Sequence, residues 1–330
     1  MLLAGDIGGT KANLAVFSVE KCSIVPLTEM TYRSTDYSNL EAIISEYLSQ
    51  FDFKVTQASL GVAGPVVEDQ ASITNLSWSM TVDVLQDTFD LTRVYLLNDL
   101  VAMAAAVPRL EDKDLHTLNP GKPIDGGTIA VIAPGTGLGE AYLTWDGSRY
   151  FPYASEGGHS DFAPTNQLAL KLHQYLLDRF GHVSCERVCS GNGIPNIYAF
   201  LRDEKYAEEP DWLAEQLARA KDPTPIIAKA ALDLKRSCKL CSLTMDTFVS
   251  ILGAESGNLA LKVLSSGGVY LGGGIPPRIL PYLDSGIFMQ AFLHKGRLAS
   301  VLSKMPVHVI LNRKAALLGA AYYGLDRWQD

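Results

Sequence analysis

Cysteine is scarce in this chain, with five in 330 residues. The odd count, without a secretory leader ahead of it, argues against a disulfide framework and fits free thiols in a reducing compartment. Basic residues are also in deficit: 28 Lys and Arg stand against 36 Asp and Glu, a formal net charge of −8. With a pI near 5.3, that balance argues against a broad surface for nucleic acid or an anionic membrane, while leaving room for a local basic pocket. Long apolar runs are missing too. The longest candidate, Val94 to Val107, is interrupted by Asn98 and Asp99 and is too short to span a membrane. The opening residues Met1 to Asp6 lack the order of a signal peptide. The closing Arg327-Trp328-Gln329-Asp330 is neither a peroxisomal nor an ER-retention tail. The expected location is the cytoplasm. No low-complexity tract or short-period repeat is found.

Apolar residues make up 47% of the chain and charged residues 19%, the balance of a globular protein with a sizeable core. The length exceeds what one core usually organises, so two domains are expected. Leu2–Ile7 and Ala12–Val19 alternate in the strand manner around Gly8-Gly9-Thr10, and Ile24–Tyr32 can extend the meander. Leu40–Phe51 has helical spacing. Ala58–Val62 reads as a strand, Val82–Phe89 as a helix, Val94–Leu97 as a buried strand and Leu100–Val107 as the helix that follows it. This alternation argues for an α/β layer structure. Pro108–Gly127 is polar, and a domain boundary is expected near its start. Beyond it come strands at Thr128–Ala133 and Ala141–Trp145. Helices follow at about 166–180, 193–202, 211–220, 224–238 and 243–264. Val269–Leu271 is a strand entering three glycines, Val307–Leu311 another strand, and Ala315–Leu325 a closing helix.

A weak internal repeat stands out. Leu3 to Thr10 and Val131 to Gly139 are both strand, Gly/Thr turn, strand, one near the start of each expected domain. Backbone N–H groups in such turns form a nest for an anion, and glycine lets the backbone approach closely. Gly8, Gly9 and Thr10 would make one grip on a polyphosphate, and Gly135, Thr136 and Gly137 the other. Asp6, at the end of the first strand, is placed to hold Mg²⁺ through water. Neither turn is a Walker loop or a dinucleotide fingerprint. Either alone reads equally as an ordinary glycine hairpin; together they favour phosphate binding.

Asn98 and Asp99 interrupt an apolar run at a strand-to-helix junction. Asp99 reads either as the helix N-cap or as a general base aimed at a substrate hydroxyl, with Asn98 a hydrogen-bonding neighbour; both can hold. Glu156, His159 and Asp161 cluster around glycines in Ser155–Pro164. Such side chains suit the vicinal hydroxyls of a sugar; a metal site and a structural polar loop are the rivals. Glu186, read from its neighbours alone, is more readily a surface salt-bridge partner than part of a pocket. Gly272-Gly273-Gly274 after a strand could let an adenosine lie flat on backbone. Cys238-x-x-Cys241 has no second pair and reads as a structural thiol pair within helix.

In this order, the motifs resemble the bacterial glucokinases of the hexokinase/actin/Hsp70 superfamily, in the enterobacterial-type group and not the repressor-linked (ROK) sugar kinases. Gly5-Asp-Ile-Gly-Gly-Thr10 and Gly135-Thr-Gly-Leu-Gly139 look like the two phosphate motifs. Thr74-Asn-Leu-Ser-Trp78 and Leu97-Asn-Asp99 look like the sugar-side and catalytic segments. Glu156 to Pro164, Gly181-His-Val-Ser184, Glu186-Arg-Val188 and Gly257-Asn-Leu-Ala-Leu261 match family segments, and Gly272-Gly-Gly-Ile275 resembles the adenosine motif.

The resemblance covers the whole chain. It implies an α/β, two-domain, actin-like ATPase (ribonuclease H-like) fold with an active-site cleft between the domains. The implied small α/β domain is 1–109 plus 313–330, to which the C-terminal helix returns, and the large α+β domain is 110–312. It implies phosphorylation of D-glucose at O6 by Mg·ATP, the first step of glycolysis, with Asp99 as catalytic base. The implied sugar contacts are Asn98, Asp99, Glu156, His159 and Glu186. Asp6, Gly8, Gly9, Thr10, Gly135, Thr136, Gly137, Gly273 and Gly274 would hold the nucleotide and its metal. A homodimer with no nucleic-acid or membrane partner is implied as well.

Some positions depart from the family pattern: Lys11-Ala12-Asn13 where many relatives carry Asn-Ala-Arg, Pro134 and Glu140 beside the second turn, and Gly193 where proline is usual. The cysteine-rich zinc motif of the ROK kinases is not found. A kinase of another hexose, a sugar sensor and a sugar-independent ATPase are the alternatives.

Overall fold

A computed structural model describes residues 1–20, 23–73, 76–233 and 235–328. In chain order its elements begin with β1 (Leu2–Ile7), β2 (Lys11–Glu20), β3 (Ser23–Arg33), α1 (Leu40–Ser49), β4 (Gln57–Val62), β5 (Val66–Val67), β6 (Gln70–Ile73), β7 (Trp78–Thr81), α2 (Val82–Phe89), β8 (Arg93–Asn98) and α3 (Asp99–Ala106). They continue with β9 (Leu115–Asn119), β10 (Ile129–Pro134), β11 (Leu138–Trp145), β12 (Tyr150–Ser155), α4 (Gln167–Phe180), α5 (Gly193–Asp203), α6 (Asp211–Ala218), α7 (Thr224–Leu232) and α8 (Lys239–Val263). The last are β13 (Gly268–Leu271), α9 (Leu280–Leu283), α10 (Ile287–Leu293), α11 (Ala299–Leu302), β14 (Val307–Ile310) and α12 (Ala315–Asp326). Two compact units result: Met1–Glu111 with Ser148–Ala154 and Asn312–Asp330, and Asp112–Gly147 with Ser155–Leu311.

The first unit is built on a mixed sheet in the order β3-β2-β1-β4-β8, antiparallel across β3-β2-β1 and parallel across β1-β4-β8. Central strand β1 is buried on both faces, and the two-residue period sorts its side chains between them. Leu3 and Ile7 join the core under α1 with Ile43, Ile44 and Tyr47. Leu2 and Ala4 join the opposite core with Ala102 of α3 and Leu317, Ala320 and Ala321 of α12. Small residues let α3 and α12 cross closely: a Cβ built on Gly319 would collide with the Ala102 carbonyl oxygen. A small sheet, β5-β6-β7, lies in the same unit. The polar stretch between the expected strand and helix had given no sign of it.

The second unit repeats the plan. β10 and β11 form an antiparallel hairpin, β10 pairs parallel with β13 and β13 with β14, and β9 closes antiparallel on β14. Helices supply most of its core, centred on Phe248, Leu252, Phe288 and Phe292. The 25-residue α8 is the longest helix among the described residues.

The boundary between α7 and α8 differs from expectation on both sides, α8 starting at Lys239 and not at Leu243. The run read as helix through Cys238 stops at Leu232, where Asp233 takes an extended backbone (φ −79°, ψ 97°). The Asp233 carboxylate accepts the Lys235 and Arg236 N–H groups at 2.9 and 3.2 Å, an Asx turn in place of further helix. Cys238 is then the N-cap of α8, its sulfur accepting the Cys241 N–H at 3.3 Å. The described cysteines are all buried free thiols.

Among the described residues, no helix is long and apolar enough to cross a membrane.

Candidate active site

In the first unit the site residues follow from the sheet. Register places Asp6, Gly61 and Leu97 side by side, then Ile7, Val62 and Asn98. Gly8 and Asp99 therefore leave the same carboxyl edge of one sheet, two strands apart, a span of about 10 Å. Ligands bind at such edges in open α/β sheets. The β1–β2 turn closes with Gly8 N–H donating to the Lys11 carbonyl at 2.8 Å. Asp6 is largely buried, which raises its pKa, and a hydrogen bond from Asn13 partly offsets the rise. That bond, Asn13 Nδ2 to Asp6 Oδ2, is 3.1 Å, and Thr31 Oγ1 donates to Asn13 Oδ1 at 2.8 Å. Asn13, noted in the sequence only as a departure, thus orients the carboxylate.

The junction of β8 and α3 assigns the cap differently from the sequence reading. Asn98, not Asp99, is the N-cap: its Oδ1 accepts the Leu100 N–H at 2.9 Å, and its Nδ2 donates to the Gly64 carbonyl at 3.2 Å. Asp99 is the first helical residue, and its Oδ1 also lies 2.9 Å from the Leu100 nitrogen. The helix N-terminus is a favourable place for its negative charge. Of the sugar-side segment Thr74–Trp78, Thr74 and Asn75 lie outside the described residues; Trp78 opens β7 and is buried.

In the second unit, Gly135 N–H donates to the Gly137 carbonyl at 2.8 Å and closes the β10–β11 turn. β13 runs beside β10, so Gly273 and Gly274 leave the sheet next to this turn. Gly273 has φ +81°, and a Cβ there would lie 2.7 Å from the Pro134 carbonyl oxygen. A Cβ on Gly135 or Gly274 would meet no protein atom within 4 Å. Both instead line a cavity of about 660 Å³, with Thr136, Asn192, Lys229 and Arg278 also on its wall. That volume suits a nucleotide-sized ligand. Sequence reasoning missed the α7 wall with Lys229, because one lysine on an amphipathic helix carries no distinguishing pattern.

Glu156 precedes and His159 ends a single 3-10 turn, Gly157–His159, with His159 Nε2 4.0 Å from Glu156 Oε2. Both side chains are open to solvent, 76% exposed for Glu156 and 64% for His159. Asp161 pairs with His182 at 2.9 Å. Among the described residues, no three His, Cys, Asp or Glu side chains converge on a metal-sized point. Glu186 lies at the β10–β11 turn: its Oε2 accepts the Leu138 N–H at 3.0 Å and sits against Gly137. It is thus no surface salt-bridge partner.

Two α/β units, a glycine hairpin opening each sheet, a carboxylate at one sheet edge and a nucleotide-sized cavity are the features of the actin-like ATPase fold. The glucokinase family model matches residues 3–326. A glucokinase of Nostoc punctiforme is 40% identical over 97% of this chain and 98% of its own length. One from Yersinia pestis is 37% identical over 97% and 95%. The crystal structure of a glucokinase from an Antarctic psychrotroph superposes with a TM-score of 0.83 at 31% identity, covering 98% of both chains. The chain belongs to the glucokinase family. Its activity is ATP-dependent phosphorylation of D-glucose at O6 to glucose 6-phosphate, the first step of glycolysis.

Proposed function

We propose that Asp99 is the catalytic base of this transfer, taking the proton of the glucose 6-hydroxyl as that oxygen attacks the γ-phosphorus in line. The observation that carries the reading is the shared sheet edge of Gly8 and Asp99, which puts a carboxylate within a substrate's length of an anion-binding turn. Asn98, Glu156, His159 and Glu186 bind the sugar hydroxyls together with Asp99. Gly8, Gly9, Thr10, Gly135, Thr136 and Gly137 hold the phosphates, and Gly273 and Gly274 the adenosine. The domains are 1–109 plus 313–330 and 110–312, and each carries members of both the sugar-binding and the phosphate-binding sets. Asp6, a hard oxygen donor at a strand end, is a fitting anchor for Mg²⁺ through water; when bound, the ion neutralises phosphate charge. Positioning supplies most of the rate. The enzyme acts as a cytoplasmic homodimer, and its net charge of −8 fits the lack of a nucleic-acid or membrane partner.

The test is coupled phosphorylation with Mg·ATP on glucose, mannose, fructose, N-acetylglucosamine and no sugar. Strong turnover on glucose alone is expected. Turnover without sugar would overturn the reading in favour of an ATPase.

A further inference from the structure

Behind the Glu156–His159 turn lies a group of ionisable side chains that the transfer does not use. Glu140, on β11, is only 2% exposed. Its carboxylate rests against Gly157, where a built Cβ would collide with Glu140 Oε2. Gly158 likewise sits on the Leu138 carbonyl, so the turn is seated on alternate residues of β11. Glu255 of α8 is 5% exposed. Its Oε2 accepts Asn258 Nδ2 at 2.8 Å and the Cys185 thiol at 3.4 Å. Among the described residues, neither Glu140 Oε1 nor Glu255 Oε1 has a hydrogen-bond partner.

The surrounding charges do not neutralise two carboxylates. Lys262 Nζ is 3.6 Å from Glu255 Oε1, on a side chain 56% exposed. Lys295 donates to the Ala254 carbonyl and Asn258 Oδ1 at 2.9 and 2.6 Å. The remaining titratable neighbours, Cys185 and Cys189, are buried thiols whose pKa values are pushed up, first by burial and then by nearby acidic groups. Burial first, and Glu255 second, push the Glu140 carboxyl up to about 7, with Lys262 opposing.

We propose that Glu140 is a positioning residue for the glucose site, acting through Gly157 on Glu156 and His159. The proposal rests on the reading of those two residues as sugar contacts. Neutral Glu140 fills the space behind the turn. Ionised, it is repelled by Glu255 and poorly solvated, and the turn seated on it shifts.

Steady-state kinetics of the full chain between pH 6 and 8.5 test this. The wild type should show a glucose KM that rises several-fold across pH 7 while the ATP KM stays level. Glu140→Gln, isosteric and neutral, should flatten the glucose profile. Glu140→Ala should raise the glucose KM about tenfold at either end of the range, with little change for ATP. A Gln variant that keeps the wild-type profile, or that fails to fold, overturns the proposal, as does an Ala variant that raises both KM values equally. Glu156→Gln separates the two readings. If it leaves the glucose KM unchanged, the sugar assignment fails. If it raises the glucose KM while the Glu140 variants behave as wild type, the positioning role alone fails.

Discussion

The Glu186 carboxylate accepts the backbone N–H of Leu138 at 3.0 Å, directly after the second phosphate turn. A residue expected on the sugar side therefore also braces the β10–β11 turn, the proposed phosphate grip. Glu186→Ala should raise the KM for glucose and for ATP together, each by about tenfold, since a hydrogen bond to a charged group contributes about 1.5–3 kcal/mol. Initial rates with each substrate varied in turn check this. A change in the glucose KM alone would confine Glu186 to the sugar.

Asp99→Ala should lower kcat by about 10²–10⁴-fold, the usual contribution of a positioned base. ATP binding, measured by equilibrium titration, should hardly change. An unaltered kcat would remove Asp99 from its role.

Glu140 makes stability depend on pH. Its folded pKa, about 7, lies above the ordinary 4.5. Its contribution is therefore complete below pH 4.5 and is lost as pH rises to 7, a swing of about 3 kcal/mol. Denaturant melts should find Glu140→Gln more stable than the wild type at pH 8, with the gap closing below pH 5.

Two neighbouring glycines should respond differently to the same change. Gly273→Ala puts a side chain at φ +81° and against the Pro134 carbonyl; it should cost at least about 1 kcal/mol of stability. Gly274→Ala meets no protein atom but enters the cavity. It should raise the ATP KM while the melting temperature holds. Thermal melts beside ATP kinetics distinguish the two.

Much of this architecture was legible because it is local. Both hairpins announce themselves by alternation around glycine, and α2 falls on the expected Val82–Phe89. The junction at Asn98 and Asp99 was visible as a polar break in an apolar run, but not which of the two caps; that depended on Gly64, far back in the chain, offering its carbonyl to Asn98. The end of α7 was missed because Asp233 stops the helix with its own side chain, and helical periodicity does not report such a turn. β9 reads as polar loop because its residues are only partly buried. Glu140 stood out in the sequence only as a departure beside the second turn, and its nearness to Glu255 arises only through tertiary packing.

The packing of Gly319 on Ala102 also orders events during synthesis. The face of the first sheet formed by Leu2 and Ala4 is only partly covered, by α3, until α12 emerges some two hundred residues later. The second unit, encoded in between, can be complete before the first is closed. A nascent chain thus carries a half-finished N-terminal sheet through most of its translation, exposed to chaperones and to other chains.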